Sequence, residues 1–486
     1  MTRRTIPILP AAPARAAGGA DSSAVIVSMY AAQPKIYPRA VSGVFARWRW
    51  TMVWLTQIVF YGAPWLQWDG RQAVLFDLVE RRFYLFGLVL QPQDLVFLAA
   101  LLVLSALALF FFTAVAGRLW CGYACPQTVY TEMFMWLERR IEGDRIARMK
   151  LDAAPWSAAK IARKGGKHAA WIAVALVTGF SFVGYFTPIR VLVDELVTLS
   201  FGPWESFWVL FYGLATYGNA GFLREQICKY MCPYARFQST LIDADSLVIA
   251  YDAGRGESRG ARSRKADPRA LGLGDCIDCT LCVQVCPTGI DIRDGLQNEC
   301  IGCAACIDVC DDVMGKMGYR KGLIRYATDN GVRHGWGRAQ MLARVWRPRV
   351  WIYGALLLAV GSAFVAGLAL RAGHTVDVLR DRGALARVVD AGWVENAYRV
   401  QVGNRSGEPQ RYRLTARGLE GLVLDGAAEI EVAPYAIAPA VLALRLPPEA
   451  AQSLAPGAHP IEWVAERLGA GGGEAVRSTS TFYVPR

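Results

Sequence analysis

Twelve cysteines carry most of the chemistry open to this 486-residue sequence. Eight fall in two runs of one spacing, Cys276-x2-Cys279-x2-Cys282-x3-Cys286-Pro287 and Cys300-x2-Cys303-x2-Cys306-x3-Cys310. Three closely spaced thiolates can wrap one iron–sulfur cube, while the fourth, carried off by the following turn, serves the other cube. This is the spacing of a bacterial two-cluster ferredoxin. It assigns Cys276, Cys279, Cys282 and Cys310 to one 4Fe–4S cluster and Cys300, Cys303, Cys306 and Cys286 to the other. A pair of zinc sites competes, but zinc motifs pair C-x2-C units across a longer gap. Asp311 follows the second run where Pro287 follows the first, which loosens a turn and removes no ligand.

The remaining four form two further pairs, Cys121-GYA-Cys125-Pro126 and Cys228-KYM-Cys232-Pro233. Residues four apart share one side of a helical turn, so each pair can aim two sulfurs at one centre. Proline after the second cysteine suits the first position of a new helix. Four soft thiolates favour Cu(I), zinc or an iron–sulfur centre; a redox disulfide relay and inert buried thiols are the alternatives. Met133, Met135 and Met231 lie close by, and helix packing accounts for them. The four histidines, His168, His334, His374 and His459, fall outside the apolar stretches and read as surface or loop residues, which argues against haem held by paired histidines inside a membrane.

The elements that position these residues follow from hydropathy. The chain is 54% hydrophobic and 19% charged, a balance that fits membrane spans mixed with soluble domains. Five stretches approach the roughly 20 apolar residues that a crossing needs: 48–68, 95–116, 169–188, 205–222 and 350–370. Lys and Arg crowd 139–167 and the segment between the fourth and fifth stretches, which places those segments and the N-terminus in the cytosol. All twelve cysteines fall on that reducing side. The net charge of +12 therefore reads as a face held against membrane lipid, with no nucleic-acid partner. No ionisable residue sits within the span cores, which argues against a proton pump or ion transporter.

The expected architecture is a multi-domain membrane protein. Residues 1–46 form a disordered cytosolic tail without a cleavable signal. Residues 47–250 form an α-helical membrane bundle with four spans and both C-x3-C-P pairs. A basic linker over 251–270 leads to an inserted two-cluster ferredoxin-like domain at 271–330. A connector (331–349) and the fifth span (350–370) follow. In 371–486, Tyr398, Val400 and Val402 alternate with polar neighbours, a Gly-Asn-Arg-Ser-Gly turn follows, and Leu442, Leu444 and Leu446 alternate again; this predicts an external all-β immunoglobulin-like sandwich.

Four stretches then give the chain a family likeness: DGRQAVLFDL (69–78), GRLWCGYACPQTVYTEMFMWLER (117–139), REQICKYMCPYARFQS (224–239) and the whole cluster segment 274–311. Together they resemble the cytochrome c oxidase accessory protein family of the CcoG, FixG or RdxA type, over nearly all of the chain from about residue 35. The resemblance implies a bacterial inner-membrane protein with a periplasmic C-terminal domain that assists assembly of a cbb-type haem–copper oxidase. It further implies a cupric reductase: Cu(II) is reduced and kept as Cu(I) near Cys121, Cys125, Cys228 and Cys232, with electrons from a cytosolic donor and delivery to a copper exporter or chaperone. A quinol-oxidising membrane ferredoxin subunit and a non-catalytic copper-binding scaffold are the competing functions. The sequence leaves open a homodimer.

Overall fold

The computed structural model describes residues 35–485 apart from 269, 382, 384 and 470–474. Most of the expected tail, 1–34, lies outside the described residues. The chain divides into two compact units at residue 364.

Among the described residues three helices are long and apolar enough to cross a membrane: Leu95–Ala116 with the turn before it, Ala158–Val183 and Pro348–Ala369. The first and the last of these bury none of their apolar windows against protein, so those faces suit lipid. The other two expected spans fold differently. The first is a helix at Val44–Gly62 that carries Arg47 and Arg49 in its opening turns and gives way at Pro64 to a tight turn and a short hairpin. The fourth is a regular helix only over Pro203–Gly218, 16 residues or about 24 Å. Below Gly218 the backbone widens into π-helical turns at Asn219–Leu223 and Ile227–Met231. The third span also begins earlier than hydropathy suggests and ends at Val183.

Residues 35–46 are fastened down, contrary to a free tail. Lys35 and the Tyr37 hydroxyl both reach the Asp152 carboxylate, at 2.9 and 2.6 Å. Asp308 accepts from the backbone N–H groups of Phe45 and Ala46 at 3.1 and 2.7 Å, which satisfies orphan donors at the start of the Val44–Gly62 helix. A Cβ at Gly43 would lie 2.2 Å from the Asp308 carboxyl carbon, so glycine is what lets the two segments meet.

The helices Pro126–Ile141, Arg145–Ala153 and Ala158–Val183 are joined by a buried ion network. Glu138 takes Arg148 and Arg224, both at 2.7 Å, and Glu142 takes Lys164 at 3.0 Å and Lys167 at 3.2 Å. Both carboxylates are about as buried as core leucines. Replacing Glu138 by glutamine takes the carboxylate from Arg224 and leaves Arg148 only Glu142, 3.7 Å away, so thermal unfolding of the detergent-solubilised protein is expected to show a loss of about 3–5 kcal/mol.

The cluster segment is closed by an antiparallel strand pair, Val248–Tyr251 against Ile324–Ala327, so this unit starts before residue 271. The segment expected as a flexible linker is tied to it: Arg255 donates to Asp275 at 2.5 Å, and Arg262 donates to the carbonyls of Gly274 and Cys276.

The second unit is a β-sandwich. One sheet orders Val423–Asp425, Ile437–Leu446, Val394–Asn404 and His374–Arg380; the other orders Glu429–Val432, Gln410–Arg417, Gly457–Leu468 and Ala475–Val484. Alternate residues of both sheets meet in one core around Tyr398 and Trp463, whose rings lie 5.4 Å apart edge to face. His374 is buried here, 5.5 Å from the Tyr412 ring. In the first unit His168 bonds the Tyr217 hydroxyl at 2.9 Å and stacks on Phe222. These two histidines are packed residues, contrary to the surface reading.

Candidate redox site

Two small voids lie within the cluster segment. One, of about 370 Å³, is lined by Cys276, Cys279, Cys282 and Cys310 among apolar side chains such as Leu281, Val313 and Met314. The other, of about 340 Å³, is lined by Cys286, Cys300, Cys303 and Cys306, with Ile249, Ile290 and Ile301 in its wall. Cys282 borders both, so the voids are neighbours. Ala304–Met317 shows how the chain achieves this. Ala304 turns in a left-handed conformation (φ 59°), and the Ala305–Met317 helix then carries Cys306 to one void and Cys310 to the other. Thr280 does the same before Cys282.

Burial makes these thiols hard to ionise. It pushes Cys282, Cys300 and Cys310 up to about 12 and Cys303 to about 11, with neighbouring cysteines adding to the shift. Thiolates in such walls need cationic metal at their centre, and a sulfur-bridged iron cube supplies it. Among the described residues, no three Cys, His, Asp or Glu side chains converge closely enough to chelate a single ion. Quartets spread around a void therefore fit a cluster better than one zinc ion.

The two C-x3-C-P pairs adopt matching local structure. Cys125 and Cys232 each stand at the N-cap of a helix whose first residue is proline, Pro126–Ile141 and Pro233–Leu241. Cys121 and Cys228 sit one turn earlier, in the Leu119–Tyr123 helix and the π-helical turn. The tertiary fold brings the pairs together. Cys121 is raised to about 11 by burial and then by the nearby Cys125 and Cys232, and Cys228 to about 12 by burial and then by Cys125 and Cys121. Cys125 is raised by burial, against backbone N–H bonds from Gln127 and Thr128 that favour its thiolate. Gln127 clamps the pairs by donating to the carbonyls of Asn219 and Arg224 at 2.9 and 3.2 Å. Gln238, from the second motif's helix, accepts the Cys121 thiol hydrogen bond at 3.2 Å.

The first pair lies against the second void. A Cβ on Gly122 would stand 2.7 Å from the Gly302 carbonyl oxygen and 2.8 Å from the Cys303 nitrogen. The loop Cys121–Cys125 thus rests on the loop that carries Cys300 and Cys303, held by the Tyr326 hydroxyl donating to Gly302 at 2.7 Å. A cleft of about 1010 Å³ is bordered by both Cys228 and Cys303. Arg49 and Arg118 enter the same region: Arg49 donates to the Cys303 carbonyl at 2.7 Å and Arg118 to the Cys300 carbonyl at 3.4 Å. Neither arginine, nor Gln238, stood out in the sequence. Their signal is three-dimensional, a buried cation or amide beside cysteine loops far away in the chain.

Residues 223–329 match the profile of a 4Fe–4S dicluster domain, 98–143 match that of a 4Fe–4S binding domain, and 364–485 match an immunoglobulin-like fold found at the C-terminus of FixG. Protein RdxA of Cereibacter sphaeroides is 41% identical over 430 residues, covering 86% of this chain and 90% of that one. The nitrogen fixation protein FixG of Rhizobium meliloti is 39% identical over 422 residues, covering 80% of each chain. The chain belongs to the FixG/RdxA family. As a member it is a 4Fe–4S protein with a redox role, its β-sandwich is the family's C-terminal domain, and its apolar helices make it a membrane protein.

Proposed function

We propose that this FixG/RdxA-family protein is a cupric reductase of the bacterial inner membrane, serving assembly of a cbb-type haem–copper oxidase. Carrying this reading is the direct seat of the first C-x3-C-P loop on the Gly302–Cys303 backbone, which sets a soft-thiolate pocket beside a cluster loop. Cys276, Cys279, Cys282 and Cys310 hold one 4Fe–4S cluster, and Cys286, Cys300, Cys303 and Cys306 the other; bound there, they supply one-electron transfer. Cys121, Cys125, Cys228 and Cys232 take the copper substrate. Thiolates favour Cu(I) over Cu(II), so the pocket itself adds driving force for reduction and retains the product. Five crossings, counting the Val44–Gly62 and Pro203–Gly218 helices, keep every cysteine cytosolic and put the β-sandwich in the periplasm, in line with the Lys and Arg distribution. A copper exporter or chaperone then receives Cu(I).

The test is Cu(II) reduction by purified full-length protein with a chemical reductant, read by a Cu(I)-specific chelator. Turnover beyond one bound copper per pocket is expected; stoichiometric binding without turnover means a scaffold instead. A third iron–sulfur centre at the C-x3-C-P pocket is the second reading, favoured by the 4Fe–4S profile that spans the first pair. Iron in excess of two cubes, lost on replacing Cys121, would establish it.

The pocket also sets a pH dependence. Cys121 and Cys228, lifted to about 11 and 12, are protonated at neutral pH, so each thiolate that binds Cu(I) first releases a proton. Cu(I) affinity is therefore expected to rise with pH, by about a hundredfold per displaced proton between pH 6 and 8. Competition with a chelator of known affinity measures the slope, and a flat profile contradicts coordination by these thiols.

A further inference from the structure

Arg118 is one of the least exposed charges in the chain, at 8%. Among the described residues no carboxylate lies within ion-pair distance of it, whereas the buried Arg148 and the partly buried Arg224 and Arg293 all have acidic partners. Its two terminal nitrogens donate to backbone carbonyls of three residues: Asn298 and Cys300 beside the second void, and Ala235 one turn into the helix after Cys232. Its Nε is buried with no acceptor. Its own carbonyl abuts Gly302, where a Cβ would come within 3.0 Å of the oxygen. Two residues further on in sequence comes Trp120 and then Cys121, so this one side chain ties the first motif, the second motif and the cluster loop.

A buried guanidinium without a carboxylate costs several kcal/mol unless negative charge reaches it some other way. The charge available here is sulfur-borne. Arg118 acts electrostatically on Cys300 at the second void and on Cys121 and Cys228 in the pocket, favouring the thiolate in each case. Arg49 offers the second void a further cation, but Glu132 lies 3.8 Å from it. At the first void Arg293 is neutralised by Asp291 and Asp278.

We propose that Arg118 is a positioning residue and the shared counter-ion of two anionic sites, the cluster of the second void and the loaded C-x3-C-P pocket. This rests on the copper reading only for the pocket's cargo; the cluster half stands on the cysteine voids alone. Two consequences follow from one charge serving two sites. Reduction makes a cluster more negative, so Arg118 raises the potential of the neighbouring cluster and leaves the other nearly unmoved. Two thiolates that hold one soft monovalent cation carry a net negative charge. The loaded pocket then competes for the same guanidinium, and the neighbouring cluster becomes harder to reduce.

The experiment is an anaerobic redox titration of full-length protein in detergent, following both clusters by low-temperature paramagnetic resonance. In Arg118→Gln, one of the two midpoints is expected to fall by at least a tenfold change in the oxidised-to-reduced ratio, about 59 mV for one electron. The same variant should bind silver(I), a redox-inert stand-in, at least tenfold more weakly. Arg118→Lys keeps the charge and should restore most of the midpoint while losing the bidentate grip on the carbonyls. Both midpoints unmoved, or both moved alike, in folded Arg118→Gln overturns the proposal. Should that variant fail to fold, the wild type decides: silver(I) loading is expected to lower one midpoint only, and no shift sinks the shared counter-ion. A cluster shift in Arg118→Gln in a protein that never reduces Cu(II) would sink the copper reading and leave the cluster half standing.

Discussion

Changing Cys121 and Cys228 together to serine is expected to abolish Cu(I) production while leaving the iron content and the visible spectrum intact. The reason is geometric. These thiols come from segments about a hundred residues apart, yet each is raised by the pair that the other belongs to. Serine keeps the volume but offers a hard, protonated oxygen in place of a soft donor. Loss of a mere supporting partner of a metal costs about 10–100-fold, so removal of two donors should exceed that range. Neither residue borders the two cluster voids, and their loss should not release iron. Equal rates for the double variant and the wild type, in the chelator assay, would remove the pocket from the reaction.

Gly122→Val should have nearly as large an effect by a different route. The new Cβ would press on the Gly302 carbonyl and the Cys303 nitrogen, and both are backbone atoms that cannot swing away. Overpacking costs about 1–3 kcal/mol where side chains can yield, and more is expected where the obstacle is main chain. The motif loop and the cluster loop must then part. Expected together are a fall of several degrees in melting temperature, a loss of iron approaching one cluster per chain, and at least tenfold slower Cu(II) reduction. Gly165→Val is the control, since a Cβ there meets nothing within 4 Å and valine is a better helix former than glycine. Identical melting temperatures and iron contents for the two variants would mean that the loops do not lean on each other.

How far residues alone reach depends on what encodes each feature. Cysteine spacing is a local code, so the two quartets around the voids could be drawn from the sequence, including the exchange of Cys286 and Cys310 between runs. Alternation at Tyr398, Val400 and Val402 is equally local and foretold the sandwich core. Hydropathy was less secure, because it counts composition and not backbone course. It gave both ends of the Leu95–Ala116 helix, but ran through Pro64 and through the π-helical turns that follow Gly218. Charge counting also misled in part. Arg148, Lys160 and Lys167 read as lipid-facing positive charge, yet all three are buried, with Arg148 and Lys167 in ion pairs with Glu138 and Glu142 and Lys160 on the carbonyls of Asp152 and Ala154. Arg118 and Arg49 were invisible for the opposite reason. An arginine beside a tryptophan-rich helix looks ordinary until the fold sets it against a cysteine loop some 180 residues later.

The pocket and the cluster loop are held to be one circuit, and rapid mixing can test this directly. Protein reduced with dithionite, freed of excess reductant without oxygen, is mixed with Cu(II) and a Cu(I)-specific chelator. The visible absorption of oxidised clusters should return at the same rate as Cu(I) appears, one copper for each electron stored. The Cys121→Ser/Cys228→Ser protein should stay reduced over that time. Reoxidation that is as fast without those thiols, or Cu(I) that forms while the clusters remain reduced, would contradict the circuit.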